Sequence, residues 1–290
     1  NRVIALTDNG NLYHIRDLGQ GSPSEEWART GEEGVPDPKP GTQPILGFPD
    51  ETGHPPIRVL GTKVLRSYGA AAGKLLGDYP LPEGYVATSN PVMDEEGNVL
   101  FVAGADPDGQ YFGRHYLLVV QPDGTAAAES NAEIALPASK TKIVAMSIGI
   151  KDWLLMGTSN AGLVIFNRAD GEVYKTVSGS AENFLEVAPP VQAANGMIFF
   201  GVFPSYIYAL DETGEDCWSH DLDEGDSSIG AQLQPASPLI LPSGKVLFHA
   251  GNYLVGIDCD GAIAPSNSPW PRFGGNDRNT GNIADSVSVE

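Results

Sequence analysis

The chain has 290 residues, of which 41% are hydrophobic, a composition that permits a packed core and argues against a disordered chain. It carries 37 acidic and 17 basic residues, for a formal net charge of −20. An acidic surface of this kind repels nucleic acid and anionic membrane headgroups and attracts basic partners. Its most apolar stretches are too short or too interrupted to cross a bilayer, so we expect neither a nucleic-acid partner nor a membrane span.

Six related units follow one another along the chain. The first lacks the opening strand that the others have, and the spacing is regular where the pattern is clearest: Pro190 and Pro238 are 48 residues apart, as are Gly196 and Gly244. In chain order the units cover residues 1–30, 42–80, 86–130, 141–177, 187–222 and 234–281.

Each unit is predicted to form four short antiparallel strands. A strand begins after a proline, a glycine turn leads to an apolar second strand, and a third strand ends at an Asp-Gly or Asp-x-x-Gly turn before the fourth. In the fifth unit these parts are Val191–Ala193, Met197–Gly201, Tyr206–Leu210 and the stretch around Trp218. No segment shows an amphipathic helical stripe, which excludes stacked helix pairs.

Four strands in a unit of this length are typical of one blade of a β-propeller. The sequence therefore predicts an all-β fold with residues 1–290 as a single propeller domain. Six blades fit the unit count, and the range extends to eight if the N-terminus is incomplete. We expect strands from both chain ends to close the ring, with residues 282–290 as the candidate for the strand that the first unit lacks.

The units resemble the repeats of the PQQ-like (quinoprotein-type) propeller family. Residues 208–214 read Tyr-Ala-Leu-Asp-Glu-Thr-Gly and are followed by Trp218, and residues 268–281 resemble the Trp-Pro-x-Phe…Asn-Thr-Gly signature of many bacterial propellers of this family. The resemblance is strong from about residue 85 to residue 281. It implies an extracytoplasmic protein of bacterial type, located in the periplasm, at the cell surface or in the medium.

The residues that would make the chain a quinoprotein enzyme are missing from the pattern. Quinoprotein dehydrogenases of this family carry an adjacent Cys-Cys pair, whereas the only cysteines here are Cys217 and Cys259, which either form a disulfide between neighbouring units or remain thiols. No nucleophile, phosphate-loop or zinc motif is present. The sequence thus favours a non-catalytic scaffold that binds a protein or glycan partner and needs no cofactor. The alternative is a divergent PQQ-dependent dehydrogenase or a carbohydrate-active propeller enzyme.

Two acidic segments are candidate binding sites. Asp106 and Asp108 flank a proline in the longest insertion within a unit, where oxygen ligands could hold Ca²⁺; a solvated Asp-Gly turn is the competing interpretation. Asp221, Asp223 and Asp226 belong to the segment that joins the fifth unit to the sixth, where propellers usually bind their ligands, and this segment could hold a cation or a basic partner. The competing interpretation of this second segment is a solvated charge run.

Overall fold

The computed structural model describes an all-β chain. Its described part contains no α-helix, only a 3-10 helix at Gly31–Glu33. No helix in it is long and apolar enough to cross a membrane. The structure describes residues 2–16, 22, 24–38, 43–49, 54–105, 114–127, 132–136, 142–159, 162–177, 187–203, 205–222, 237–241, 243–250 and 253–259.

In the described part of the chain the strands form six antiparallel sheets, which we number in chain order. The first sheet contains β1 (Arg2–Leu6), β2 (Leu12–Arg16) and β3 (Ser24–Arg29). The second contains β4 (Ile45–Leu46), β5 (Pro56–Leu60), β6 (Val64–Gly69) and β7 (Leu75–Pro80). The third contains β8 (Tyr85–Ala87), β9 (Val92–Met93), β10 (Val99–Ala105), β11 (His115–Val120) and β12 (Ala132–Ile134).

The remaining three sheets repeat the same order. The fourth contains β13 (Lys142–Ile148), β14 (Trp153–Ser159), β15 (Leu163–Asn167) and β16 (Glu172–Val177). The fifth contains β17 (Val191–Gln192), β18 (Ile198–Val202), β19 (Tyr206–Leu210) and β20 (Asp216–Asp221). The sixth contains β21 (Leu239–Ile240), β22 (Lys245–Ala250) and β23 (Tyr253–Asp258).

Within each sheet the strands are joined in sequence, as in a meander. The fifth sheet shows the register: Phe199 of β18 faces Ala209 of β19, which faces Trp218 of β20. The second, fourth and fifth sheets are four-stranded, which confirms the predicted antiparallel four-stranded units there. In the described part of the chain the first and sixth sheets have three strands each, and residues 282–290 lie outside it.

The third sheet differs from the others because its opening strand is split. Both β8 and β9 pair with β10, and the chain between them leaves the ladder. There the carbonyl of Val102 accepts the N–H groups of Thr88 and Ser89 at 2.8 and 3.3 Å, and the Ser89 hydroxyl accepts the Val102 N–H at 2.8 Å. Pro91, which has no N–H to donate, follows within the same interruption.

The core lies between consecutive sheets. Among the described residues, five clusters of buried apolar side chains each combine two neighbours in chain order: the first and second sheets, the second and third, the third and fourth, the fourth and fifth, and the fifth and sixth. On β18, Ile198 and Phe200 face the fourth sheet while Phe199 faces the sixth. Because both faces of such strands are buried, the strands read as continuous apolar runs without polar alternation.

Buried polar side chains link the sheets in addition to this apolar contact. The Asn90 side chain accepts the Met146 N–H at 2.8 Å and donates to the Met146 carbonyl at 3.0 Å, which joins the third sheet to the fourth. The Trp27 indole N–H donates to the Ala70 carbonyl at 2.8 Å and joins the first sheet to the second. Such bonds satisfy buried polar groups and fix the position of each sheet relative to the next.

Candidate functional site

A cleft of about 200 Å³ lies between the second and third sheets. One wall comes from β5, β6 and β7, and the other comes from the end of β11 and the turn that follows it. Apolar and charged side chains share the lining, which consists of Pro56, Arg58, Leu65, Ser67, Leu76, Gly77, Asp78, Tyr79, Val120, Gln121, Pro122, Asp123 and Gly124. A cleft of this size has room for about one amino-acid side chain.

Arg58 fixes the two walls relative to each other. It sits on β5 with only 4% of its surface exposed, and its guanidinium reaches two turns of the third sheet. Nη1 donates to the Gly97 carbonyl at 2.9 Å and Nη2 to the Pro122 carbonyl at 2.8 Å. Burial lowers the pKa of Arg58, and the nearby charge of Asp123 partly offsets that effect. These two hydrogen bonds thus use the Arg58 guanidinium to hold the two walls of the cleft together.

Asp123 brings a negative charge to the cleft from the turn after β11. Its Oδ1 accepts both the Thr125 N–H at 2.8 Å and the Thr125 hydroxyl at 2.7 Å, an arrangement common in Asp-Gly turns. These bonds lower the pKa of the Asp123 carboxyl, so the side chain is ionised at neutral pH. Within the described part of the chain both bonds end on Oδ1, which leaves Oδ2 to accept from a ligand.

Asp78 lies in the opposite wall, but its carboxylate bonds to Arg66 on the face of the second sheet that is turned toward the first sheet. It faces Arg66 across the β6–β7 ladder, and the two side chains form a bidentate pair with both N–O distances at 2.8 Å. Arg66 also donates to the carbonyls of Glu32 and Gly34 in the first sheet's trailing loop. The hydrogen bonding that Arg66 donates to Asp78 is the main reason that the pKa of Arg66 is raised. Arg66, which these two carbonyls fix, therefore holds the Asp78 side chain in place.

The outer edge of the second sheet is unusually apolar beside this cleft. Leu75 and Leu76 of β7 are 44% and 60% exposed, although β7 ends its sheet and no described strand pairs with its outer edge. Edge strands ordinarily carry charges that discourage pairing with other chains. The matching fourth strands β16 and β20 follow that rule, since each bears two or more charged side chains, whereas the only charge on β7 is Asp78.

Asp221, the one sequence-predicted site residue that the structure describes, does not line this cleft. Asp106, Asp108, Asp223 and Asp226 lie outside the described residues, so the calcium candidate and most of the acidic loop stay predictions. Asp221 is described: it ends β20, and its Oδ1 accepts a hydrogen bond from the Ser205 hydroxyl at 2.5 Å.

The cysteines and the acidic clusters add no metal centre to the described part of the chain. Neither Cys217 nor Cys259 is in a disulfide, which decides between the two alternatives that the sequence left open. Among the described residues no group of three or more histidine, cysteine, aspartate or glutamate side chains is placed to hold a metal ion.

Sequence reasoning missed the cleft, although two signals point to it. Arg58 is a charged residue between Ile57 and Val59 in a strand that is otherwise buried. Leu75 and Leu76 are an apolar pair in a strand whose counterparts are charged. Both are departures from the repeat pattern, and both occur in residues 42–80, a unit that fits the repeat pattern weakly.

Comparison with known proteins supports the fold and does not assign a family. No family model matches the sequence, and no curated protein matches it significantly. Among solved structures, BamB from Moraxella catarrhalis, a PQQ-like β-propeller repeat protein, superposes with a TM-score of 0.55 at 12% identity, over 91% of this chain and 75% of that one. A protein of unknown function from Bacteroides caccae gives a TM-score of 0.55 at 13% identity, over 90% and 91% of the two chains. These likenesses show a propeller-type fold.

Proposed function

We propose that the chain is a non-catalytic extracytoplasmic β-propeller that serves as a scaffold for a partner protein. The observation that carries the proposal is the exposed leucine pair of β7 beside a cleft that Arg58 and Asp123 line. Exposed apolar residues at an otherwise unprotected sheet edge favour contact with another chain. The likeness of the fold to that of BamB supports the propeller fold on which this proposal rests.

The architecture suits this role because the sheets form a rigid frame. Apolar clusters join each sheet to the next, and buried side chains such as Asn90, Arg58 and Trp27 bond across the boundaries. A frame that does not rearrange on binding presents its surface at little entropic cost. The proposed ring has six blades, closed by a strand from residues 282–290.

The net charge of −20 supports an extracytoplasmic scaffold that meets basic partners. Long-range attraction of this kind raises association rates and selects partners by charge more than it adds affinity. We therefore expect complex formation to slow markedly as ionic strength rises, because salt screens the attraction between exposed charges.

The experiment that tests the scaffold function is site-directed photo-crosslinking in cells. A photoreactive phenylalanine derivative replaces Leu76 in the chain at its native expression level. The matched control carries the same group in place of Tyr174, which is 52% exposed on the outer strand of the fourth sheet. We expect position 76 to be crosslinked to one extracytoplasmic protein and position 174 not to be. The crosslinked protein, once purified, should bind the chain reversibly in isothermal titration calorimetry.

Two results would contradict the proposal. The first is the absence of a specific crosslink from position 76. The second is enzymatic behaviour: stoichiometric uptake of PQQ with Ca²⁺, seen as a bound quinone absorbance, together with substrate-dependent reduction of an artificial electron acceptor. That second result would establish the alternative that the sequence left open.

A further inference from the structure

We infer that the cleft beside β7 takes a tryptophan side chain of the partner protein, at the position that the chain's own Trp27 and Trp218 fill between other sheets. The inference rests on the proposed scaffold function and names the chemistry of the partner. Three features of the described residues carry it: the strand register, two glycines in the lining of the cleft, and the open space beside both of them.

The strand register shows which side chains a sheet turns toward the next one. Residues that lie opposite each other on neighbouring antiparallel strands have their side chains on the same face. The row of the fifth sheet that packs against the sixth consists of Val191, Phe199, Ala209 and Trp218. The corresponding row of the first sheet, which faces the second, consists of Ile4, His14 and Trp27. Both rows end in a tryptophan on the outer strand, and in both sheets the register shifts directly after the row.

In the second sheet the same row ends in a residue without a side chain. The row consists of Ile45, Arg58, Ser67 and Gly77, and here too the register shifts directly after it. Arg58, Ser67 and Gly77 all line the cleft. A Cβ built on Gly77 meets no atom within 4 Å. The cleft therefore lies where the outer-strand tryptophan packs between the first and second sheets and between the fifth and sixth.

A glycine in the neighbouring turn completes the match. Trp27 packs on Gly73, which follows β6 with a φ of +62° and where a Cβ would lie 2.5 Å from the indole ring. Gly124 follows β11 in the corresponding turn of the third sheet, with a φ of +87°. It lines the cleft, and a Cβ built on it meets no atom within 4 Å. A flat ring thus finds a glycine on each wall of the cleft, as Trp27 finds Gly73.

The charged residues of the cleft favour an indole over an aliphatic side chain. Between the first and second sheets, the Arg29 guanidinium lies 5.8 Å from the centroid of the Trp27 ring, and the indole N–H donates to a carbonyl at 2.8 Å. The cleft offers the same two kinds of group, since the Arg58 guanidinium and the Asp123 carboxylate both line it. A guanidinium attracts the face of an aromatic ring, and the free Oδ2 of Asp123 is an acceptor for the indole N–H. A leucine side chain would satisfy neither.

The test uses a single blocked amino acid as the probe. N-acetyl-tryptophanamide is titrated into the ¹⁵N-labelled chain, alongside N-acetyl-phenylalaninamide and N-acetyl-leucinamide. We expect saturable chemical-shift changes at the amides of residues 77–79 and 121–125 with the tryptophan compound. The phenylalanine compound, which keeps a ring and loses the N–H, should bind about threefold more weakly, and the leucine compound about tenfold more weakly.

Two variants fill the cleft from within the chain. Gly77→Trp restores the row seen in the first and fifth sheets, so it should abolish binding of the tryptophan compound and raise the temperature of thermal unfolding. Gly77→Leu should block binding with a smaller side chain. The control is Tyr174→Trp, which adds a tryptophan to the outer strand of the fourth sheet and should leave binding unchanged. Circular dichroism checks that each variant is folded.

Three results would overturn the inference. The first is the absence of shifts at the named amides with the parent chain and the tryptophan compound. The second is equal affinity for the leucine and tryptophan compounds. The third is a folded Gly77→Trp variant that binds the tryptophan compound as tightly as the parent chain does.

The same variants separate this inference from the scaffold function. When they are applied to the partner identified by crosslinking, a loss of binding in Gly77→Trp but not in Tyr174→Trp supports both. A partner that binds Gly77→Trp as tightly as the parent chain leaves the scaffold function standing and overturns the inference, since the ring in the cleft then belongs to a free aromatic compound. If position 76 yields no crosslinked partner although the tryptophan compound binds, the scaffold function fails while the preference of the cleft for an indole stands.

Discussion

His115 makes the stability of the chain sensitive to mild acid. It opens β11 with 1% of its surface exposed, and neither ring nitrogen has a hydrogen-bond partner among the described residues. Leu117 and Val119, on the same face of β11, belong to the core between the third and fourth sheets. Burial, and secondarily the charge of Lys142, lower the pKa of His115 from 6.5 to about 4.

The sign and size of the effect follow from the two pKa values. Between pH 6.5 and about 4 the unfolded chain binds a proton at His115 that the folded chain excludes, so the free energy of unfolding falls as the pH falls. The loss begins near pH 6.5, is complete near pH 4, and amounts to about 3 kcal/mol. Asp123 and Asp211 have lowered pKa values, and their contributions to stability are lost only below their ordinary value of 3.8. Their contributions therefore fall outside this window.

The assay is urea unfolding between pH 7.5 and 4.5, followed by tryptophan fluorescence, for the parent chain and for His115→Phe. The variant keeps a ring in the core and removes the titrating group, so its stability should depend much less on pH in this window. His220→Phe removes an imidazole from an exposed position of β20 and serves as the control. Equal pH slopes for the parent chain and His115→Phe would refute the reasoning.

Three further substitutions test the frame by thermal and urea unfolding. Asp152 has a φ of +58° in the turn between β13 and β14, a left-handed conformation that is strained for a residue with a Cβ. Asp152→Gly should therefore raise the free energy of unfolding by about 1 kcal/mol, and a decrease would refute the presence of this backbone strain. The side chain of the fully buried Gln192 accepts the Ile150 N–H at 2.7 Å and donates to the Gly196 carbonyl at 2.8 Å. Gln192→Leu should therefore lower the free energy of unfolding by about 3 kcal/mol, and an unchanged value would contradict a stabilising role for these bonds. Gly73 has a φ of +62°, and a Cβ there would lie 2.5 Å from the Trp27 ring. Gly73→Ala should therefore lower the free energy of unfolding by about 2 kcal/mol and alter tryptophan fluorescence. Gly77→Ala, which places its Cβ in open space, should do neither.

The sequence predicts the antiparallel sheets well because their rules are local. A run such as Ile198–Val202 is apolar on both faces, and the turn that precedes it contains Gly196, which adopts a φ of +88°. Both features recur in other units, so one unit supports the interpretation of the next. The sequence did not predict the split of the opening strand in the third sheet, because that split depends on the Ser89 hydroxyl bonding to Val102 across the sheet.

Blade number and ring closure stay predictions for a different physical reason. Closure requires the last sheet to contact the first, and that contact joins residues at opposite ends of the chain, where no local pattern constrains the pairing. The described core clusters run from the first sheet to the sixth through consecutive neighbours. Residues 282–290, the proposed closing strand, lie outside the described residues.

The candidate site escaped the sequence because it depends on contacts between units. Asp123 belongs to a turn of the third sheet and Arg58 to an inner strand of the second, and 65 residues separate them. Motif scanning compares spacing along the chain, so it favours carboxylates close together, such as Asp106 and Asp108, over charged residues that meet across a boundary. What brings Arg58 and Asp123 together is the bond from the guanidinium to the carbonyl of Pro122, the residue before Asp123.

A repeat fold makes such sites recognisable once the units are compared with one another. Every unit must satisfy the same structural demands, namely buried inner strands and a solvated outer strand, so a residue that breaks the pattern has a local cause or a separate function. Arg58 breaks it in a buried strand and has a local cause, since it bonds to two turns of the neighbouring sheet. Leu75 and Leu76 break it in an outer strand, where 44% and 60% of their surface stays exposed. Exposure of two leucines without a structural cause is what the binding of a partner at β7 explains.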